Sequence, residues 1–281
     1  MPDSPENKVS KVLRVLLSFI LFVLVVVISL AVCTKTVLLN KSSIEDRFTG
    51  YEYVSSVKDS VVEYASDIYL QNGLDSDNLD DIFDEALIRD AIKAYVANNI
   101  GSEAGYNETT YTEPVNSICT ALETDITNQI AQKGLEDNTD SVSSISESVN
   151  DYMLNEIDIG YSNTKTLLNV GSIAATVILC VGLFFALAAG LILFFIGSVR
   201  YRSIRAVGIS FYAAGFYEIM ISIMVCIIFR IKHIDIFPVY LKTLVMDYIY
   251  SFAGSVAAAG FISLIAALII SVAVWKVKRG K

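Results

Sequence analysis

Ile204–Phe229, IRAVGISFYAAGFYEIMISIMVCIIF, is the stretch on which the reading of the chain turns. It is almost wholly apolar, long enough as a helix to cross about 30 Å of hydrocarbon, and carries one carboxylate, Glu218, near its middle. Ser210, Ala214, Glu218, Ser222 and Cys226 recur at every fourth residue, so a helix gathers them onto one stripe and leaves its other side for lipid. A charge in hydrocarbon costs roughly 3 kcal/mol or more. Glu218 is therefore expected to face a protein interior or a wet cavity, or to be protonated. With Ser210 and Ser222 as its neighbours on the stripe it forms an intramembrane polar site, with two readings. One is a proton or cation site at mid-membrane; the other is a neutral acid bonded to serines of an adjoining helix. No second acid or base lies deep in an apolar stretch to complete a relay.

Three further windows resemble this one: Val12–Cys33, Leu167–Ile196 and Gly254–Trp275. With 54% apolar residues, the chain belongs in the integral membrane class, and the expected fold is all-α with four transmembrane helices. The net charge of -9 conceals a partition: Lys35–Lys165 holds 25 acids against 8 bases, leaving 5 acids and 13 bases elsewhere. Lys8, Lys11 and Arg14 precede the first span, Arg200, Arg202 and Arg205 crowd the turn before the third, and Lys276, Lys278, Arg279 and Lys281 follow the fourth. The positive-inside rule assigns all three groups to the cytoplasm. The expected order is a cytoplasmic N-terminus (1–11), helix 1 (12–33), an acidic extracytoplasmic helical domain (34–166), helix 2 (167–196), a basic cytoplasmic turn (197–203), helix 3 (204–229), an outer loop (230–253), helix 4 (254–275) and a cytoplasmic C-terminus (276–281). The location is a cell membrane, crossed several times.

The first span reads as a retained signal anchor, its apolar run exceeding the usual core of a cleaved signal, although Ser29-Leu30-Ala31 resembles a cleavage site. The outer domain reads as four helices. Ser43–Gln71 repeats Val54, Val57, Val61, Tyr64, Ala65 and Ile68 at three and four; a second helix after Asp75 or Asp77 buries Leu79, Ile82, Phe83, Ala86 and Leu87; a third opens at Thr112 with Pro114 and closes at Gly134; a fourth covers Ser141–Ile157. Both ends of this domain join membrane helices, which points to an up-and-down bundle. Gly182, Ala186 and Gly190 in helix 2 and Ala259, Ser263 and Ala267 in helix 4 form small-residue stripes for close helix packing. Helix 1, rich in Leu and Val, has no such stripe and is expected at the rim. Pro238 can open an interfacial helix before helix 4, with Tyr240, Tyr248 and Tyr250 at headgroup depth.

Chemistry-bearing residues are sparse. The single histidine, His233, lies in the short outer loop, so no Ser-His-Asp or Cys-His pair can be assembled within the large domain. Cys119 is the one cysteine there, so no internal disulfide forms. Asp75-Ser76-Asp77-Asn78-Leu79-Asp80-Asp81 alternates oxygens as calcium prefers, but an EF-hand register would put Leu79 at a ligand position and Ala86 where the bidentate glutamate belongs. An acidic helix start is the expected reading. No enzyme activity, metal, cofactor or nucleic acid is expected. Arg200, Arg202 and Arg205 are topology anchors that could also dock a cytoplasmic partner or anionic lipid.

Two resemblances follow from quoted residues. Tyr51 with Tyr53, the Leu74–Val96 helix and Arg205-Ala206-Val207-Gly208-Ile209 resemble uncharacterised four-span membrane proteins of Gram-positive bacteria with a helical outer domain, a family that implies no activity. The topology, with Arg202-Ser203-Ile204-Arg205-Ala206-Val207-Gly208 followed by Glu218, is similar to FtsX-like permeases of ABC systems, although the acids of their coupling stretch are missing and the spacing to Glu218 is shorter. That resemblance implies a cytoplasmic ATPase partner. The leading expectation is a non-enzymatic protein presenting an acidic helical domain for interaction or sensing, acting through a protein partner or self-association. The alternative is a transport subunit, either FtsX-like or coupled through Glu218.

Overall fold

The computed structural model describes residues 8–100, 108–134, 139–157, 164–196, 200–231 and 239–279. Helices joined by turns and short loops make up these residues, with no strand among them. Two compact units are separated by contact: one comprises Met1–Leu39, Val170–Ile234 and Met246–Lys281, the other Asn40–Asn169 and Asp235–Val245.

The first unit contains α1 (Lys8–Cys33), which widens into a π-helical turn over Thr34–Leu38, together with most of α8 (Thr164–Ile196), α9 (Arg200–Ile231) and most of α10 (Val239–Arg279). Each includes a segment long and apolar enough to cross a membrane: Lys11–Leu38, Thr166–Phe195, Arg202–Arg230 and Leu241–Lys276. Many of their large apolar side chains point outward, among them Phe184, Phe195, Tyr212, Met224 and Ile262, as lipid-facing residues do. The expectation that the first span lies at the rim is corrected. Leu21, Val25 and Val26 of α1 form a buried core with Leu193, Ala206 and Ala214. The small residues needed for close approach are supplied by α9, so α1 requires no stripe of its own. Ser18 Oγ lies 2.8 Å from Ser210 Oγ, and Phe22 meets Tyr217 edge-on at 5.8 Å. The interfacial helix expected before the fourth span is not a separate element, because α10 runs without a break from Val239 to Arg279. Its proposed starter, Pro238, lies outside the described residues, as does His233.

The second unit contains α2 (Lys41–Phe48), α3 (Tyr51–Gln71), the short α4 (Leu79–Ile82), α5 (Glu85–Ile100), α6 (Glu108–Lys133) and α7 (Thr139–Ile157). Val54, Val57, Val61, Ala65 and Tyr69 of α3 form a fully buried stripe at helical spacing. They share the interior with Ile88 and Ile92 of α5, Ile118, Leu122 and Ile126 of α6, and Val149 and Met153 of α7. Tyr64 and Tyr152 stack face to face at 4.0 Å, and the Tyr152 hydroxyl lies 3.0 Å from Ser60 Oγ.

Three boundaries differ from expectation. The first outer helix is two helices, since Thr49 and Gly50 interrupt it and Gly50 takes an extended conformation before α3. The second is also split, with Phe83 and Asp84 between α4 and α5; Ala86 is exposed and Ile88 is buried instead. The third starts at Glu108 rather than at Thr112, so Pro114 lies within it and removes one backbone donor near its beginning. Gly73 (φ +73°) and Gly134 (φ +63°) provide the left-handed residues that end α3 and α6. At the first, Leu74 N–H donates to Tyr69 O and Gly73 N–H to Leu70 O, a Schellman closure with Leu74 buried behind it.

Candidate functional sites

The stripe on α9 faces inward at Ser210, Ala214, Glu218 and Ser222, all buried. The serines expected beside Glu218 bond elsewhere. Ser210 donates to backbone oxygens of Ser18 and Ala206, and Ser222 donates to Ala253 O at 2.7 Å. Hydroxyls from other helices approach the acid instead: Ser263 Oγ of α10 lies 3.4 Å from Glu218 Oε2, and Ser29 of α1 faces the same carboxyl group. Glu218 is completely buried, and its Oε1 has no hydrogen-bond partner among the described residues. Ser263 carried a sequence signal only as a packing residue, and Ser29 only within a cleavage-like triplet; neither pattern reveals which helix it faces.

Both hydroxyl residues also line an apolar cavity of about 600 Å³ among the four long helices, whose wall includes Ala186, Gly190, Phe211 and Ala259. The other expected packing residues behave differently from one another. A Cβ on Gly182 would come within 2.9 Å of Ile28, whereas Gly190 has nothing within 4 Å. Ala267 is buried, and its carbonyl lies 4.0 Å from where a Cβ on Gly208 would sit. Among the described glycines the closest approach is one that the stripes do not include: Gly215 of α9 against Gly260 of α10, where a Cβ on either would approach the other's backbone oxygen within 2.5 to 2.8 Å.

Arg202 and Arg205 line a groove of about 820 Å³ between α1 and α9, and Arg14 of α1 joins them there. The Arg200 side chain lies outside the described residues. Arg14 carried only a topological signal in the sequence; the pairing of Ser18 with Ser210, one turn along each helix, brings it beside the other two.

In the second unit a groove of about 990 Å³ runs between α4–α5 and α6. Its walls include Asp81, Glu113 and Asp125 with Asn116, Thr120 and Thr124. Ser117, Thr120 and Thr124 each donate their hydroxyl proton to the carbonyl four residues back, so outward they offer lone pairs. Asp125 accepts from Asn78 Nδ2 at 3.1 Å and from Gln129 Nε2 at 2.8 Å. The Asp75–Asp81 segment is held by cations and amides of the protein: Lys133 pairs with Asp75 at 2.9 Å, and Lys58 pairs with Asp80 at 3.4 Å. Among the described residues no three His, Cys, Asp or Glu side chains gather as a metal would require. Burial, followed by the charge of Asp125, raises the Tyr69 phenol above its ordinary range; burial and then Glu156 do the same to Tyr53. Burial, with Glu123 nearby, also pushes the Cys119 thiol up.

No protein family, no curated protein and no solved structure matches the chain.

Proposed function

We propose that this chain is a non-enzymatic multi-pass membrane protein that presents its acidic helical unit outside the cell, where the unit engages a partner or ligand. The observation that carries the reading is the groove beside α6. Its carboxylates and amide oxygens, with hydroxyls whose protons are already spent on the helix backbone, make it a surface of acceptors. It therefore suits a cationic ligand rich in N–H donors, such as a basic segment of another protein. With no described cytoplasmic segment large enough to serve as an output domain, the signal passes to a partner. Crosslinking in native membranes, then purification in mild detergent and mass spectrometry of what copurifies, tests this. A partner lost on Asp81→Asn/Glu113→Gln is the expected result; a partner retained unchanged by that pair would refute the role of the groove.

A second reading, a transport subunit, is favoured by one observation: the completely buried Glu218 with an unpartnered Oε1. An intramembrane acid is by default a candidate proton or cation site. In the FtsX-like form of this reading a cytoplasmic ATPase copurifies stoichiometrically, and in the proton- or cation-coupled form Glu218→Gln abolishes partner-dependent activity while leaving the fold intact. Neither outcome is expected of the sensing reading, which makes Glu218 a packing residue.

A further inference from the structure

The cavity of about 600 Å³ among α1, α8, α9 and α10 has one polar spot. Among the described residues of its wall, Ser29 and Ser263 alone carry polar side chains; the rest is aliphatic apart from Phe211. Both serines turn to Glu218, which lies behind the wall rather than in it. Ser263 Oγ donates to Glu218 Oε2 at 3.4 Å, long for such a bond, and Ser29 faces the same carboxyl group. With its proton directed to the acid, Ser263 offers the cavity its oxygen lone pairs, and Ser29 is placed to do the same. Glu218 is completely buried, its Oε1 has no hydrogen-bond partner among the described residues, and no lysine or arginine among them forms an ion pair with it. A buried acceptor so little satisfied by the protein is costly unless something else donates to it.

An occupant must match an apolar wall that ends in two hydroxyl acceptors backed by a carboxyl group. A plain hydrocarbon chain would leave those groups unbonded, and an anion would meet acceptors where it needs donors. A metal ion requires several oxygens to replace its water, yet no three His, Cys, Asp or Glu side chains gather among the described residues. An alkylammonium ion fits at both ends. Its head supplies three N–H donors and a charge opposite to that of the acid, and its tail suits the aliphatic wall. The volume lies in the range that holds a drug-sized molecule. We propose that this cavity is a binding site for an apolar primary amine, its ammonium group bonded to Ser29 and Ser263 against Glu218 and its hydrocarbon laid along Leu183, Leu187 and Ile262. The proposal names a cation for the transport reading and rests on that reading only in giving Glu218 a ligand.

Photolabelling of the full chain in phosphatidylcholine nanodiscs with a dodecylamine that carries a diazirine on its tail tests it, the labelled residues being read by mass spectrometry. Saturable labelling of the cavity wall is expected, with unlabelled dodecylamine competing about ten-fold or more better than dodecanol. Glu218→Gln keeps the shape of the acid without its charge and should weaken the labelling about ten-fold or more, as loss of hydrogen bonding to a charged group does. Gly190→Leu should abolish it by another route. A Cβ on Gly190 meets nothing within 4 Å, so the leucine grows into the cavity and displaces neither serine. That variant carries the test if the glutamine variant does not fold. Gly254→Leu, on the exposed side of α10 and equally unobstructed, should label as the native chain does. Competition by dodecanol equal to that of dodecylamine overturns the proposal, because the acid would then contribute nothing. Labelling that survives either Glu218→Gln or Gly190→Leu also overturns it, since the amine would then sit elsewhere. Flux in proteoliposomes separates the site from the reading it rests on. Saturable labelling without amine flux keeps the site and removes the transport reading, whereas Glu218-dependent proton or inorganic-cation flux without saturable labelling removes the site and keeps that reading.

Discussion

Gly215 and Gly260 set how closely α9 and α10 approach. A Cβ built on Gly260 would lie 2.8 Å from Gly215 O and 2.9 Å from Ile219 Cγ1, and one on Gly215 would lie 2.5 Å from Gly260 O. The nearest obstructing atom in each case is a backbone oxygen, which cannot turn aside as a side-chain end can. Gly215→Ala or Gly260→Ala should therefore force the helices apart and cost about 1–3 kcal/mol, measured as a lowered thermal midpoint of the detergent-solubilised chain by circular dichroism. Gly190→Ala, with nothing within 4 Å, should leave that midpoint unchanged. The contact also bears on the candidate site, since the same Cβ on Gly260 would sit 3.2 Å from Glu218 Cβ. Sequence spacing made Glu218 and its buried stripe legible, because one acid in an apolar run is conspicuous. The acid's hydroxyl partners were not legible. Ser29 and Ser263 reach it from other helices, and nothing in the spacing along α9 encodes which serines of α1 or α10 it meets.

At the scale of elements, Gln129 of α6 shows how the second unit holds its irregular segment. Its Oε1 accepts from Asp75 N–H at 2.7 Å and its Nε2 donates to Asp75 O at 2.9 Å, so one side chain pairs with the loop as a neighbouring strand would. Gln129 is buried, and Gln129→Leu would leave both backbone groups without that partner. The expected cost is about 1–3 kcal/mol. The measurement is hydrogen exchange, which should quicken locally at the Asp75 amide while amides in the middle of α3 keep their protection. The amphipathic stripes that build this unit could be read directly from three- and four-residue spacing, as at Val54, Val57 and Val61. The break at Thr49-Gly50 is not legible, because the apolar repeat begins only at Val54 and leaves the polar turns before it without a periodic signal. The continuity of α10 is hidden for the opposite reason: Tyr240, Tyr248 and Tyr250 near its start suit an interface, yet nothing there prevents a helix from continuing. The place of α1 is not written in its own sequence, because in lipid an apolar face has no preferred neighbour and the small residues that decide packing can lie on the partner helix alone.

For the whole molecule, orientation in the membrane is the property on which both functional readings depend, and it rests on charge distribution alone. The 25 acids and 8 bases of Lys35–Lys165 contrast with the basic groups at the start of α1, at the start of α9 and at the end of α10. The positive-inside rule applied to these charges predicts that the acidic unit lies outside. Cysteine labelling can test this with little interference from the native thiols. Cys33, Cys180 and Cys226 lie in spanning segments, while Cys119 is half-buried with its thiol pushed toward the unreactive protonated form by burial and by Glu123. Gln71→Cys, exposed at the end of α3, should react with a membrane-impermeant maleimide in intact cells. Lys276→Cys, exposed near the end of α10, should react only after permeabilisation. The reverse pattern would put the acidic unit inside the cell. It would remove the extracytoplasmic sensing reading outright, because the acceptor groove beside α6 would then face the cytoplasm and could meet only a cytoplasmic partner.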